Sequence, residues 1–205
     1  QVITMNDYFG NQTTYTYTEK GQLSTLNAPN SNTWTMTYDT IDRLVTCAYP
    51  NGINTVYSFD NVGHMTAISH KDGATVKDGL TYALDNAGNI TRIQQMADGS
   101  ITGYWYYTYD NRYRLLTAER KDSSNTLLKR YSYTYDAGDN ILTKLVYTQS
   151  SGTTVTNAYT YDNANELITW YLSSDGTYTM TYDDWGRMTR SVKGGDTWDY
   201  SYRYG

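Results

Sequence analysis

One motif returns nine times along this chain and leaves it little choice of fold. The segments YTYTEKGQL, MTYDTIDRL, YSFDNVGHM, YALDNAGNI, YTYDNRYRL, YTYDAGDNI, YTYDNANEL and MTYDDWGRM align in register, and a ninth copy opens at the C-terminus as YRYG. The second ring of each copy falls at Tyr17, Tyr38, Phe59, Leu84, Tyr109, Tyr135, Tyr161, Tyr182 and Tyr204, at intervals of 21, 21, 25, 25, 26, 26, 21 and 22 residues. Eight of these nine positions are aromatic, so the period is a structural repeat.

Each column has a physical reason. The leading residues are two apart and share one face of a strand, and Tyr131, Tyr133 and Tyr135 extend that stripe, as do Trp34, Met36 and Tyr38. Thr or Ser fills the alternate positions, for example Thr177, Thr179 and Thr181. The pattern predicts half-buried strands with a ring face and a hydroxyl face. Asp39, Asp60, Asp85, Asp110, Asp136, Asp162 and Asp183 follow the second ring, where a short carboxylate can accept from the N–H two residues on and open a tight turn. Three residues later stand Gly21, Asp42, Gly63, Gly88, Tyr113, Asp139, Asn165 and Gly186, types that tolerate a left-handed backbone in every case but Tyr113. Tyr113 is expected either to be strained or to sit in a different turn.

Leu23, Leu44, Met65, Ile90, Leu115, Ile141, Leu167 and Met188 then begin the return strand. A second apolar residue often follows three positions on, as in Leu23/Leu26, Met65/Ile68 and Ile90/Ile93. Strict alternation would put these on opposite faces, so either a bulge intervenes or both faces carry apolar contacts. Hairpin tips are expected half a period away, at 7–11, 49–52, 71–73, 97–99, 173–176 and 194–196, with a looser tip over 121–129. Counting both kinds of turn gives about eighteen strands of about seven or eight residues.

Composition fits this reading. Only 39% of the 205 residues are apolar, but 24 Tyr and 5 Trp against 2 Phe supply surface from rings with a polar tip. The net charge is −5 with the sixteen basic residues scattered, so no nucleic-acid footprint is present. Cys47 is the single cysteine, which excludes an intrachain disulfide. No apolar run is long enough for membrane insertion. No secretory pattern follows Gln1, and the chain is expected to be a piece of a longer one, truncated at both ends.

The pattern Y-x-Y-D-x-x-G-x-L closely resembles the YD repeat of Rhs-type proteins, over essentially the whole chain. Relatives of that kind include bacterial Rhs and wall-associated polymorphic toxins, the shell-forming subunits of insecticidal toxin complexes, and teneurins. The resemblance implies an all-β antiparallel meander over residues 1–205, one continuous array of about eight to nine repeats forming a curved or spiralling sheet, the arc of a β-shell. It implies a structural function in a secreted or cell-surface protein, where such a shell encloses a C-terminal toxin polypeptide or serves as a surface module. The expected partners are flanking YD repeats of the parent chain, an enclosed toxin polypeptide, and other copies of this chain through its end strands, Val2–Met5 and Trp198–Tyr204. The family's self-cleaving end module has no counterpart here. The alternative reading is a carbohydrate-binding or adhesive module that stacks exposed Tyr and Trp on a glycan.

No residue is expected to be catalytic, to bind a cofactor or to hold a metal. His64 and His70 are six residues apart on one predicted strand, about 20 Å, too far to share an ion. His64 falls in the column of Arg43, Arg114 and Arg187 and reads as a surface residue. Cys47 lies one repeat away and reads as a buried structural thiol, with a strand between it and either histidine. The Asp column lines one rim of the sheet, but each carboxylate has a turn to close.

Overall fold

The computed structural model describes residues 2–202. It is all-β, with no helix among the described residues. The strands are β1 (Val2–Asn6), β2 (Gln12–Tyr17), β3 (Leu23–Ala28), β4 (Asn32–Tyr38), β5 (Leu44–Ala48), β6 (Ile53–Phe59), β7 (Met65–Asp72), β8 (Thr75–Leu84) and β9 (Ile90–Ala97). They continue as β10 (Ser100–Tyr109), β11 (Leu115–Asp122), β12 (Leu127–Tyr135), β13 (Ile141–Thr148), β14 (Thr153–Tyr161), β15 (Leu167–Leu172), β16 (Gly176–Tyr182), β17 (Met188–Lys193) and β18 (Asp196–Asp199).

The chain divides into two compact units, with the boundary between Tyr104 and Trp105, inside β10. In the first unit β1 to β9 pair antiparallel, each with its neighbour in sequence. In the second unit β11 to β18 do the same. Such local pairing is what strands of four to ten residues joined by tight turns favour.

The three-residue spacing resolves as a bulge. Thr16 faces Thr25 and Tyr17 faces Leu23, so Ser24 has no partner of its own. Two return-strand residues therefore oppose one, and Leu23 and Leu26 both come to the ring face, opposite Tyr17 and Tyr15. The same shift recurs at Tyr38, Phe59, Leu84, Tyr135, Tyr161 and Tyr182.

Burial is shallow. The buried apolar residues are Ala118 and Met180, and the buried polar ones Thr55 and Asn157. Stability must come largely from cross-strand pairs, each worth roughly 0.2–1 kcal/mol. On the hydroxyl face Thr16–Thr25, Thr108–Thr117, Thr134–Thr143 and Thr160–Thr169 hydrogen-bond across strands at 2.5–2.7 Å.

Two expectations need correction. The stretch 121–129 is not a loose tip: Asp122 closes a tight turn with Asn125 and Thr126, and β12 resumes at Leu127. The C-terminal strand is shorter than Trp198–Tyr204, because β18 ends at Asp199. Residues 203–205, including the predicted ring Tyr204, lie outside the described residues.

Candidate functional site

The most regular feature is the edge of turns that carries the Asp column. In the eight turns from 18–22 to 183–187, the first residue's N–H donates to the carbonyl of the fifth at 2.8–3.0 Å, and the fourth's N–H donates back to the first at 2.9–3.4 Å. Geometry of this kind forces the fourth residue left-handed. All eight are so, from φ +62° at Tyr113 to +101° at Gly63. Tyr113 keeps the common turn and bears its strain.

The carboxylate does more than its neighbours suggest. Oδ1 of Asp39, Asp60, Asp85, Asp110, Asp136, Asp162 and Asp183 accepts two N–H groups, from the third and the fifth residue, at 2.8–3.0 Å. Oδ2 reaches the fifth side chain: Arg43 and Arg114 Nε at 2.7 Å, Asn89 and Asn140 Nδ2 at 2.9 Å, Arg187 Nε at 2.8 Å, and His64 Nδ1 at 3.1 Å. Thr18 replaces Asp in the first turn, and its Oγ1 accepts only the Gln22 N–H.

These contacts hold the carboxyls below their ordinary range. The side-chain amides of Asn11, Asn89 and Asn140 lead at Asp7, Asp85 and Asp136, and the N–H of Arg43 and Glu166 leads at Asp39 and Asp162. Desolvation is the largest single influence at Asp60, Asp110 and Asp183 and pushes upward, but their combined donors outweigh it. Glu166 is the misfit of the fifth column. Desolvation and its hydrogen bond to Asp162 raise its value.

Successive copies are joined at this edge. The guanidinium of Arg43 lies over the Phe59 ring at 4.4 Å, Arg114 over Tyr135 at 4.7 Å and Arg187 over Tyr202 at 4.8 Å. Lys20 pairs with Asp42, Arg112 and Arg114 with Asp139, and Asn140 with Asn165. A second ladder runs through the rings. The hydroxyl of Tyr38 donates to the carbonyl of Leu23 at 2.9 Å, Tyr135 to Leu115 at 2.8 Å, Tyr161 to Ile141 at 3.1 Å, Tyr182 to Leu167 at 3.0 Å and Tyr202 to Met188 at 2.9 Å. The acceptor is always the first residue of the preceding return strand, where the bulge disturbs the regular pairing. Hence the column prefers Tyr to Phe. In the last copy Tyr202 fills this role, while Tyr204, which the repeat predicts as the second ring, lies outside the described residues.

The remaining candidates are dispersed. Cys47 on β5 faces Thr55 on β6, which faces His70 on β7, and Thr55 Oγ1 bonds His70 Nδ1 at 2.8 Å. A strand therefore separates thiol from imidazole, and Cys47 is half-buried rather than buried. His64 sits at the turn edge, bonded to Asp60. Among the described residues no three His, Cys, Asp or Glu are grouped to hold a metal ion. Trp105 is stacked with Tyr107 and Tyr131, and Trp170 with Tyr178 at 4.8 Å.

No protein-family model matches the chain, and no curated protein matches it. Solved structures do match its fold. The crystal structure of TcdB2-TccC3-TEV aligns over 98% of this chain with a TM-score of 0.62 and 19% identity. That of TcdB2-TccC3-Cdc42 aligns over 93% with a TM-score of 0.63 and 19% identity. A Photorhabdus luminescens Tc holotoxin pore carrying the TccC3 D651A mutation aligns over 92% with a TM-score of 0.59 and 17% identity. In each case the chain spans 12% of the length of its counterpart. The repeat fold is thus similar to that of a segment of each of these chains.

Proposed function

We propose that this chain is a wall-building module, a YD-repeat segment of a hollow β-shell in a secreted or surface-exposed Rhs-type protein, without enzymatic activity of its own. The observation that carries the reading is the ring ladder. In five copies, at Tyr38, Tyr135, Tyr161, Tyr182 and Tyr202, the ring hydroxyl donates to the same carbonyl of the copy before, so one rule can join a further copy to the last. Its neighbours are further YD repeats of the parent chain, and the polypeptide enclosed is a C-terminal toxin segment. The fold shared with the TcdB2-TccC3 chains supports this, as do the Asp carboxylates, whose hydrogen bonds are spent inside the turns. Exposed β1, with Val2 and Met5 each more than 60% exposed, is the surface through which isolated copies would pair.

Electron microscopy of the full parent protein tests the proposal, with a tag inserted at the 73–74 tip to locate this segment. A hollow particle with the tag on its wall is expected; a tag on an appendage outside any shell overturns the reading. The carbohydrate-binding alternative needs flat rings free to stack, whereas Trp105 and Trp170 already stack on tyrosines. A glycan array showing selective retention of one sugar class would restore it.

A further inference from the structure

The ring column is broken once, at Leu84, and the break leaves a hollow. Where the fifth residue of the preceding turn is Arg, the position is filled by a ring lying beneath it, as Phe59 lies under Arg43 and Tyr135 under Arg114. Its hydroxyl, where present, donates to the first carbonyl of the preceding return strand, as Tyr38 does to Leu23. The corresponding neighbours of position 84 are His64 and Met65. Leu84 is shorter than a tyrosyl ring and has no hydroxyl to offer.

The resulting hollow has a volume of about 370 Å³ and is lined by His64, Met65, Tyr82, Leu84, Gly88 and Ile90. That volume is at the lower end of the roughly 300–1,000 Å³ typical of small-molecule sites. Its walls are apolar and aromatic apart from the imidazole. The His64 backbone N–H and Nδ1 are both tied to Asp60, at 2.8 and 3.1 Å, which fixes the ring. Its far edge leans over the next turn, so close that a Cβ at Gly88 would lie 3.0 Å from Nε2. The hollow thus combines a fixed imidazole with aliphatic and aromatic side chains, and its lining includes Met65, whose carbonyl is the counterpart of those that accept tyrosyl hydroxyls in other copies.

We propose that this hollow binds one para-substituted phenol ring, the chemistry of a tyrosine side chain, with the ring between His64 and Leu84 and its hydroxyl donating to the Met65 carbonyl. The chain's own intact copies show the complementary shape. The inference goes beyond the wall-building reading and does not depend on it.

Nuclear magnetic resonance titration of the labelled protein with p-cresol tests it. Saturable one-to-one shifts are expected at the Met65, Leu84 and Ile90 methyls and the His64 ring. Toluene should bind more weakly by roughly 2- to 10-fold, the value of one net hydrogen bond. Leu84→Tyr places a ring in the hollow and should abolish binding; Leu84→Phe, which adds the ring without the hydroxyl, should do the same. N-acetyl-tyrosinamide in a parallel titration separates the sources: binding as tight as p-cresol points to a tyrosine on a polypeptide, and exclusion of the amide points to a free phenol. Non-saturating shifts across the sheet, equal affinity for toluene, or undiminished binding to both Leu84 variants would overturn the proposal.

Discussion

The two units share a turn but not a set of rings. In the first, the ring column runs Tyr17, Tyr38, Phe59, Leu84, and the fifth turn position runs Gln22, Arg43, His64, Asn89. In the second, Tyr135, Tyr161 and Tyr182 follow without interruption and each donates its hydroxyl to the preceding copy. Of the first unit's later copies, Phe59 and Leu84 have no hydroxyl to give. Yet both positions keep the same bulge, and the turns that follow them keep the same left-handed fourth residue. The turn is therefore the invariant of the fold. The ring ladder is an addition to it, and a position released from the ladder is open to other use.

If the turns carry both units, acid should weaken both together, and this is the largest effect expected. The turn carboxyls titrate below their ordinary value when folded, so the unfolded chain binds more protons as pH falls. Their contribution is complete above about pH 4 and is lost as pH drops through the depressed folded values. Thermal melts followed by circular dichroism at pH 7, 4 and 2.5 should show a progressive loss, with hydrogen-exchange protection factors falling in both units. Acid loss confined to one unit would break the comparison.

A single turn should matter nearly as much where it is struck directly. Gly88 has φ +87°, and Gly88→Val should cost about 1–3 kcal/mol in chemical denaturation. An unchanged midpoint would show that the fourth position is not what defines the turn.

Ring exchanges should have smaller effects of opposite sign in the two units. Tyr161→Phe leaves the Ile141 carbonyl without its hydroxyl donor and should lower stability by about 0.5–1.5 kcal/mol. Phe59→Tyr offers a donor to the Leu44 carbonyl and should raise stability by at most the same amount. Equal and neutral outcomes would show the ladder to be ornamental. The smallest effect belongs to Tyr113, left-handed at φ +62°. Tyr113→Gly should leave stability unchanged or raise it by up to about 1 kcal/mol, since relief of strain competes with a freer unfolded chain.

Much of this was legible in the sequence because its causes are local. A carboxylate two residues from its donor, a glycine at the fourth position and a period-two stripe all fall within one copy, and together they specify hairpins. The bulge was half legible: Leu23 and Leu26 announced a conflict with alternation, but only the register between β2 and β3 decides it. The hydroxyl ladder was not legible, because it joins Tyr135 to a carbonyl twenty residues away and depends on which strands adjoin. The hollow at Leu84 needed the same information. The sequence marks the missing ring, and only the neighbouring strands show that nothing else fills its place. The second acceptor role of Oδ1, to the fifth N–H, was missed for a simpler reason: the fifth column mixes Arg, His, Asn and Glu, and a backbone donor leaves no mark on residue type.

Copies of 21 and 26 residues coexist because the two kinds of turn in a copy obey different rules. Between Leu23 and Tyr38 the far tip is the three residues 29–31, while between Ile141 and Tyr161 it is the four residues 149–152 and each strand is two residues longer. Two residues per strand leave every side chain on its own face. An odd residue is absorbed by the tip or by an extra bulge such as that at Arg120/Lys121. Within each unit length can thus be added only at the far tips, in parcels that preserve parity, while the Asp turns stay uniform. Grafted peptides should be accepted at 73–74 or 149–152 and refused at 85–89, which makes each unit a fabric with one selvedge and one fringe.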